Sequence, residues 1–240
     1  MNKQELKNII KEIETDKLNE FLADLLLNNE NIMNQFRSNF INNFPKITKE
    51  EYERKIWNAI YECRDKDGFI SYSNARKYTH AMYNFTSEVQ ELINNKNYES
   101  AFDIVTSILD SIPDIPIDDS NGSTGAVADE CIEIIEEIVG YTLLEETELN
   151  KKILDYILEE IKTYTLSNYG IELYPILNYY IDEKKYLEEI LSSLNYSIKK
   201  YPDKWNTEKY KKLKSDIKEL LVKTTDEKRQ NWHNEINLQA

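Results

Sequence analysis

Apolar residues in this chain recur three and four positions apart, as in Leu18, Phe21, Leu22, Leu25 and Leu26, and this spacing constrains the fold more than any other feature. It places one apolar face along a helix and is incompatible with the alternation of a half-buried strand. Tyr52, Ile56, Ile60 and Cys63 repeat it, as do Tyr78, Met82, Phe85, Val89 and Leu92. The residues that would break or turn such segments are scarce, with Gly and Pro at 5 each among 240 residues. Strand-and-turn architectures need more of both, so the expected class is all-α. A chain this long buries a sizeable core without disulfides.

Caps and breakers divide the chain into about eleven helical segments. Thr15 and Asp16 open the first of them, and a turn at 28–31 leads into Ile32, Phe36 and Phe40, closed by Pro45. Thr48 with Glu51 is a capping box for the helix that ends at Asp65-Lys66-Asp67-Gly68. A long helix then starts near Ser71 or Ser73. A corner at 94–97 opens the helix of Tyr98, Ala101, Phe102, Val105, Ile108 and Leu109, which Pro113 and Pro116 terminate. The expected helices that follow are Ala126 to Tyr141, Leu149 to Tyr164, Ile171 to Ile181, Tyr186 to Tyr201, Tyr210 to Val222 and a weaker one from Asp226 to Leu238.

The corners at 28–31, 94–97 and 182–185 share one shape, a helix end, four polar residues and an apolar restart. Such corners join antiparallel helix pairs. Tyr98 followed by Ala101 resembles the second-helix start of a tetratricopeptide repeat, yet no fixed period follows. The expected architecture is an irregular α-α superhelix, a TPR-like solenoid. It is read as a single helical domain over 1–240, with possible sub-units 1–112 and 126–240 joined by the 113–125 loop.

Charge narrows the functional classes. The net charge is -14, which opposes broad contact with a phosphate backbone, so no nucleic-acid partner is expected. Residues 97–150 hold 14 acids and no Lys or Arg, whereas 11 Lys and Arg against 7 acids follow from Lys199 onward. These runs read as solvated faces that keep the apolar helices soluble, the alternative being that the C-terminal helices pack beside or fold back toward the acidic middle. No apolar run is long enough to span a bilayer and the first residues do not read as a signal peptide, so a cytoplasmic location without membrane association is expected.

Candidate chemistry is thin. With Gly68 at position 6 of a calcium loop, Asp65 and Asp67 fall at positions 3 and 5, but Cys63 and Asn74 stand where the first and last ligands belong. The segment reads as a helix-ending glycine followed by a new cap. Asp118, Asp119, Ser120 and Gly122 form the one loop of unusual composition. Paired carboxylates there suggest Mg²⁺ and phosphate chemistry, but Gly122 replaces the third acid and no cation is near to clamp a phosphate. They read better as caps and turn bonds redirecting the chain. Cys63, Cys131, His80 and His233 lack the spacing of a zinc set or of a nucleophile and its base. No catalytic residue, cofactor or metal is expected.

One family resemblance stands beside this reading. Residues Tyr83 to Val139, with the corner from Asn94 to Tyr98 and Ile117-Asp118-Asp119-Ser120-Asn121-Gly122 before an acidic helix, resemble the helical region of bacterial SWIM zinc finger proteins. Gly68-Phe69-Ile70-Ser71-Tyr72 and Leu25-Leu26-Leu27 also look like that region. The finger itself has no counterpart, because neither cysteine has a Cys or His two positions away. The resemblance implies a stand-alone helical scaffold. The expected role is a non-catalytic scaffold for protein–protein interaction, the alternative being an acidic inhibitor or immunity-type protein that masks a basic partner.

Overall fold

The helix Tyr98–Ser111 (α5) is buried on nearly every side, and this sets the arrangement around it. A helix apolar all round must be enclosed by others, and α5 packs on Lys49–Glu62 (α3), Tyr72–Asn94 (α4), Ser123–Thr142 (α6) and Glu148–Thr163 (α7). Its polar core residues are satisfied within the helix: the Thr106, Ser107 and Ser111 hydroxyls donate to Phe102 O (2.9 Å), Asp103 O (2.7 Å) and Ile108 O (2.7 Å). The computed structural model describes residues 2–29, 32–33, 35–36, 48–143, 148–181 and 183–238, the last helix beyond residue 222 by its backbone alone. Lys3–Glu12 (α1) and Thr15–Leu27 (α2) precede this core, and Lys184–Lys200 (α8) and Thr207–Leu238 (α9) follow it.

The protein is all-α. Among the described residues the only β-type pairing is an isolated parallel bridge between Ile70 and Ile117. The core is one continuous cluster running from Tyr52 on α3 through Ile112 and Ile115 to Ile217 on α9. No helix among the described residues is long and apolar enough to cross a membrane.

Several local readings hold in detail. Thr48 accepts from Glu51 N while the Glu51 carboxylate accepts from Thr48 N, closing the capping box. Asn97 caps α5, and Lys96 takes a φ of 59° to turn the corner before it. Others change. Residues 3–12 form a helix with its own capping box from Asn2 and Glu5, which the sequence reading does not include. Thr15 is the first residue of α2 rather than its cap, Glu14 standing before it. The segment 171–181 is not an α-helix. Gly170 sits in the left-handed region at φ 80°, and Pro175 restricts the next turn, so Tyr174–Tyr179 winds as a 3-10 helix. The two segments expected after Tyr210 are one helix, because nothing between Val222 and Asp226 is a breaker. The helix read through Phe40 to Pro45 lies outside the described residues.

Candidate functional site

The loop singled out in the sequence is a joint in which each acid has its own work. Asp118 Oδ1 accepts from the Ser120 amide at 3.1 Å and from the Ser120 hydroxyl, and those bonds hold its carboxyl below the usual carboxylate range. Asp119 accepts from Thr124 N (2.8 Å) through one oxygen and from Thr124 Oγ1 (2.6 Å) through the other, capping α6. Asn121 Oδ1 alone accepts from both Ser123 N and Ser123 Oγ, at 3.2 and 2.8 Å. Gly122 supplies the left-handed φ of 72° immediately before the helix. Asp118 and Asp119 thus serve different donors and form no shared ligand site.

This joint is tied to the calcium-loop-like segment, a pairing that sequence reading did not bring together. Ile70 N donates to Pro116 O and Asp118 N donates to Ile70 O, both at 2.8 Å. In the partner loop Asp65 accepts from Asn74 Nδ2 (2.8 Å) and Ser71 N (3.3 Å), and Asp67 accepts from Phe69 N (3.2 Å). The acids at would-be ligand positions 3 and 5 are occupied as turn and cap acceptors, and Gly68 holds the required φ of 83°. Asp119→Ala is expected to cost about 1 kcal/mol as a lost cap, and Asp118→Ala less, because its bonds reach only the neighbouring Ser120. Paired urea denaturation curves check the order.

A second site lies between the end of α5 and the end of α7. A cavity of about 180 Å³ is lined by Asp110, Pro113, Tyr156, Glu160, Thr163 and Leu166 among others. Glu160 is 8% exposed, and its Oε1 accepts from Leu166 N (2.7 Å) and Ser167 N (3.0 Å). Burial pushes the Glu160 carboxyl up to about 7, the two amides pulling against that rise and the charge of Asp110 adding to it. The Tyr156 hydroxyl donates to Asp110 Oδ1 (2.8 Å), and burial with that acid beside it suppresses its ionisation. Lys49 Nζ lies 3.0 Å from Asp110 Oδ2. Sequence reasoning missed this group. The signal was present in register: Glu160 lies three residues after Ile157 and four before Tyr164, on the apolar face of its own helix.

Cys63 and Cys131 are buried and free, and desolvation raises both thiols. His80 is exposed on α4, and the His233 side chain lies outside the described residues. Among the described residues no three His, Cys, Asp or Glu side chains group as a metal site.

Two surface features remain. Along α1, Leu6, Ile9, Ile10 and Ile13 are 38–49% exposed and the helix has no buried residue; Phe21 and Leu27 on α2 are 65% and 77% exposed. On α6, Asp129 and Glu133 face solvent, with Glu130, Glu136 and Glu137 half-buried beside them. Elsewhere in the acidic stretch, Asp103 and Asp110 are neutralised by Lys152 (2.6 Å) and Lys49 (3.0 Å). Among the described C-terminal lysines, Lys209 pairs with Glu172 at 2.8 Å, and α9 packs on α8. Comparison with family models, curated proteins and solved structures finds no match to this chain.

Proposed function

We propose that this protein is a non-catalytic helical scaffold that binds another protein through the uncovered apolar row of α1 and α2. The observation that carries the reading is that row. Leu6, Ile9, Ile10 and Ile13 lie on one helix face with no buried residue on that helix, whereas the described helices from α3 to α8 each bury an apolar face. Surface apolar residues scattered singly need no explanation, whereas a contiguous row rimmed by polar residues marks an interaction surface. The packing supports the superhelical part of the proposal. α3 contacts α5 as well as α4, and α4 contacts α6 as well as α5, the neighbour and next-neighbour order of stacked helix pairs.

A second reading rests on α6. Its outward acids, with no Lys or Arg anywhere on that helix, suit an acidic inhibitor covering a basic partner surface. Salt separates the two. Immobilised protein, its Ile9→Asp/Ile13→Asp variant and its Asp129→Lys/Glu133→Lys variant are compared for capture of a protein from source-cell lysate. The scaffold reading expects capture to survive a rise from about 0.05 to about 0.5 M salt, where charges are screened beyond a few ångströms. It also expects at least about a tenfold loss in the α1 variant. Capture lost with salt and in the α6 variant alone overturns the scaffold reading in favour of the inhibitor.

A further inference from the structure

We propose that the corner between α8 and α9 is a binding surface for a short single-stranded nucleic acid, with Tyr196 and Trp205 stacking on bases and Lys200 and Lys204 meeting phosphates. The corner is built as a row of interleaved rings and ammonium groups. Lys200 Nζ lies 5.2 Å from the ring centre of Tyr196 and 5.0 Å from that of Tyr201. The Tyr201 ring lies 5.1 Å from Tyr164, over which Lys204 Nζ stands at 5.4 Å. Tyr210 then meets Tyr164 and Tyr174 edge-on at 6.4 and 5.7 Å. Lys209 Nζ closes the row, 5.9 Å from Tyr174 and 4.4 Å from Trp205.

The inner rings are buried and hold the outer ones in place. Tyr164 and Tyr210 are buried, and Asn206 Nδ2 donates to the Tyr210 hydroxyl at 3.0 Å. Tyr201 Oη donates to Thr163 O (3.1 Å), while Tyr201 O accepts from Thr207 Oγ1 (2.6 Å), so the corner is tied to the end of α7 and to the start of α9. The ends of the row face water, with Tyr196 50% and Trp205 52% exposed, and Lys199, Lys200 and Lys204 are exposed beside them.

This surface differs from an ordinary solvated lysine face in how its cations are held. Lys49 and Lys152, elsewhere on the molecule, are neutralised by Asp110 and Asp103. Lys200 rests instead on two rings, and Lys204 on one ring and on the Asn168 side-chain oxygen at 2.8 Å. A ring face attracts a cation without cancelling its charge, so both ammonium groups are fixed with their charge available. Of the three lysines in the row, Lys209 alone meets a carboxylate, that of Glu172. Residues 199–222 carry 8 Lys against 4 acids in a chain whose net charge is -14.

Fixed cations interleaved with open rings are the two parts of sequence-tolerant single-strand binding, the cations following the backbone and the rings stacking on bases. An acidic peptide would engage the cations and leave Tyr196 and Trp205 unused. A duplex hides the faces of its bases, and its charge would extend over the acidic remainder of the molecule. A short single strand meets neither obstacle.

Fluorescence anisotropy of a labelled oligouridylate of about eight nucleotides, titrated with the intact protein at about 0.05 M salt, reads the binding. Affinity is expected to fall with salt at a log–log slope of about -2, the value for about three phosphates neutralised on a single strand. Lys200→Glu/Lys204→Glu should abolish binding, and Trp205→Ala should weaken it at least about fivefold. Ile9→Asp/Ile13→Asp on α1 should leave it unchanged, which keeps this outcome separate from that of the scaffold reading. Absence of binding at about 0.1 mM protein, full affinity in Trp205→Ala, or equal affinity for polyglutamate or anionic phospholipid vesicles would overturn the proposal. Should a variant fail to fold by circular dichroism, the indole N–H resonance of Trp205 in the unaltered protein decides. A shift on adding the oligonucleotide supports stacking, and a resonance that stays in place removes it.

Discussion

Phe102→Ala is expected to lower the unfolding free energy by about 4 kcal/mol. Phe102 is 2% exposed on α5, the helix enclosed by four others, and its ring meets the edge of Tyr156 at 5.8 Å between centroids. Truncation removes the apolar area, leaves a cavity that neighbouring helices cannot easily fill, and deprives Tyr156 of the contact that aims its hydroxyl at Asp110. Urea unfolding of the variant beside Leu27→Ala checks this. Leu27 is 77% exposed, and its loss should stay within about 0.5 kcal/mol. Comparable losses at the two positions would contradict the burial of Phe102 within the core and the exposure of Leu27.

The second large effect is expected at Asn150, a fully buried amide at the start of α7. Its Nδ2 donates to Thr142 O (2.6 Å) and its Oδ1 accepts from Thr142 Oγ1 (2.7 Å), while its own carbonyl accepts from Tyr180 Oη (3.3 Å). Thr142 is the last residue of α6, so its carbonyl has no partner within the helix and depends on Asn150. Asn150→Ala leaves that buried oxygen unsatisfied, at a cost of about 2–3 kcal/mol. Thr142→Val removes the hydroxyl and strands Asn150 Oδ1. In a double-mutant cycle the two changes should couple by about 1 kcal/mol, because each single change already breaks the shared contact. Additive losses would show that the residues act separately.

These two sites differ in how far they could be read from the chain alone. Phe102 was legible: it follows Tyr98 by four and precedes Val105 by three, and the helix is bounded by Asn97 and Pro113. Thr48 with Glu51, and Asp119 before α6, were legible for the same reason. A cap, a proline stop and an apolar face act through bonds and spacings within one or two turns, so neighbouring residues suffice to specify them. The all-α class follows from adding such local statements along the chain. Segment 171–181 marks their limit, since its apolar spacing is helical but Gly170 and Pro175 leave too few residues between breaks for an α-helix to propagate.

What joins distant residues had to come from the folded chain. Asn150 reads as an ordinary polar residue, and only the return of α7 against α6 buries it beside Thr142. Ile70 and Asp118, 48 positions apart, become bonded because two loops meet at one end of the helices. Asp110, Tyr156 and Glu160 line one cavity because α5 and α7 end side by side, and the burial of Glu160 follows from that placement. The apolar row of α1 has spacing that resembles that of the core helices, and whether such a face is covered depends on which neighbour the chain path brings to it.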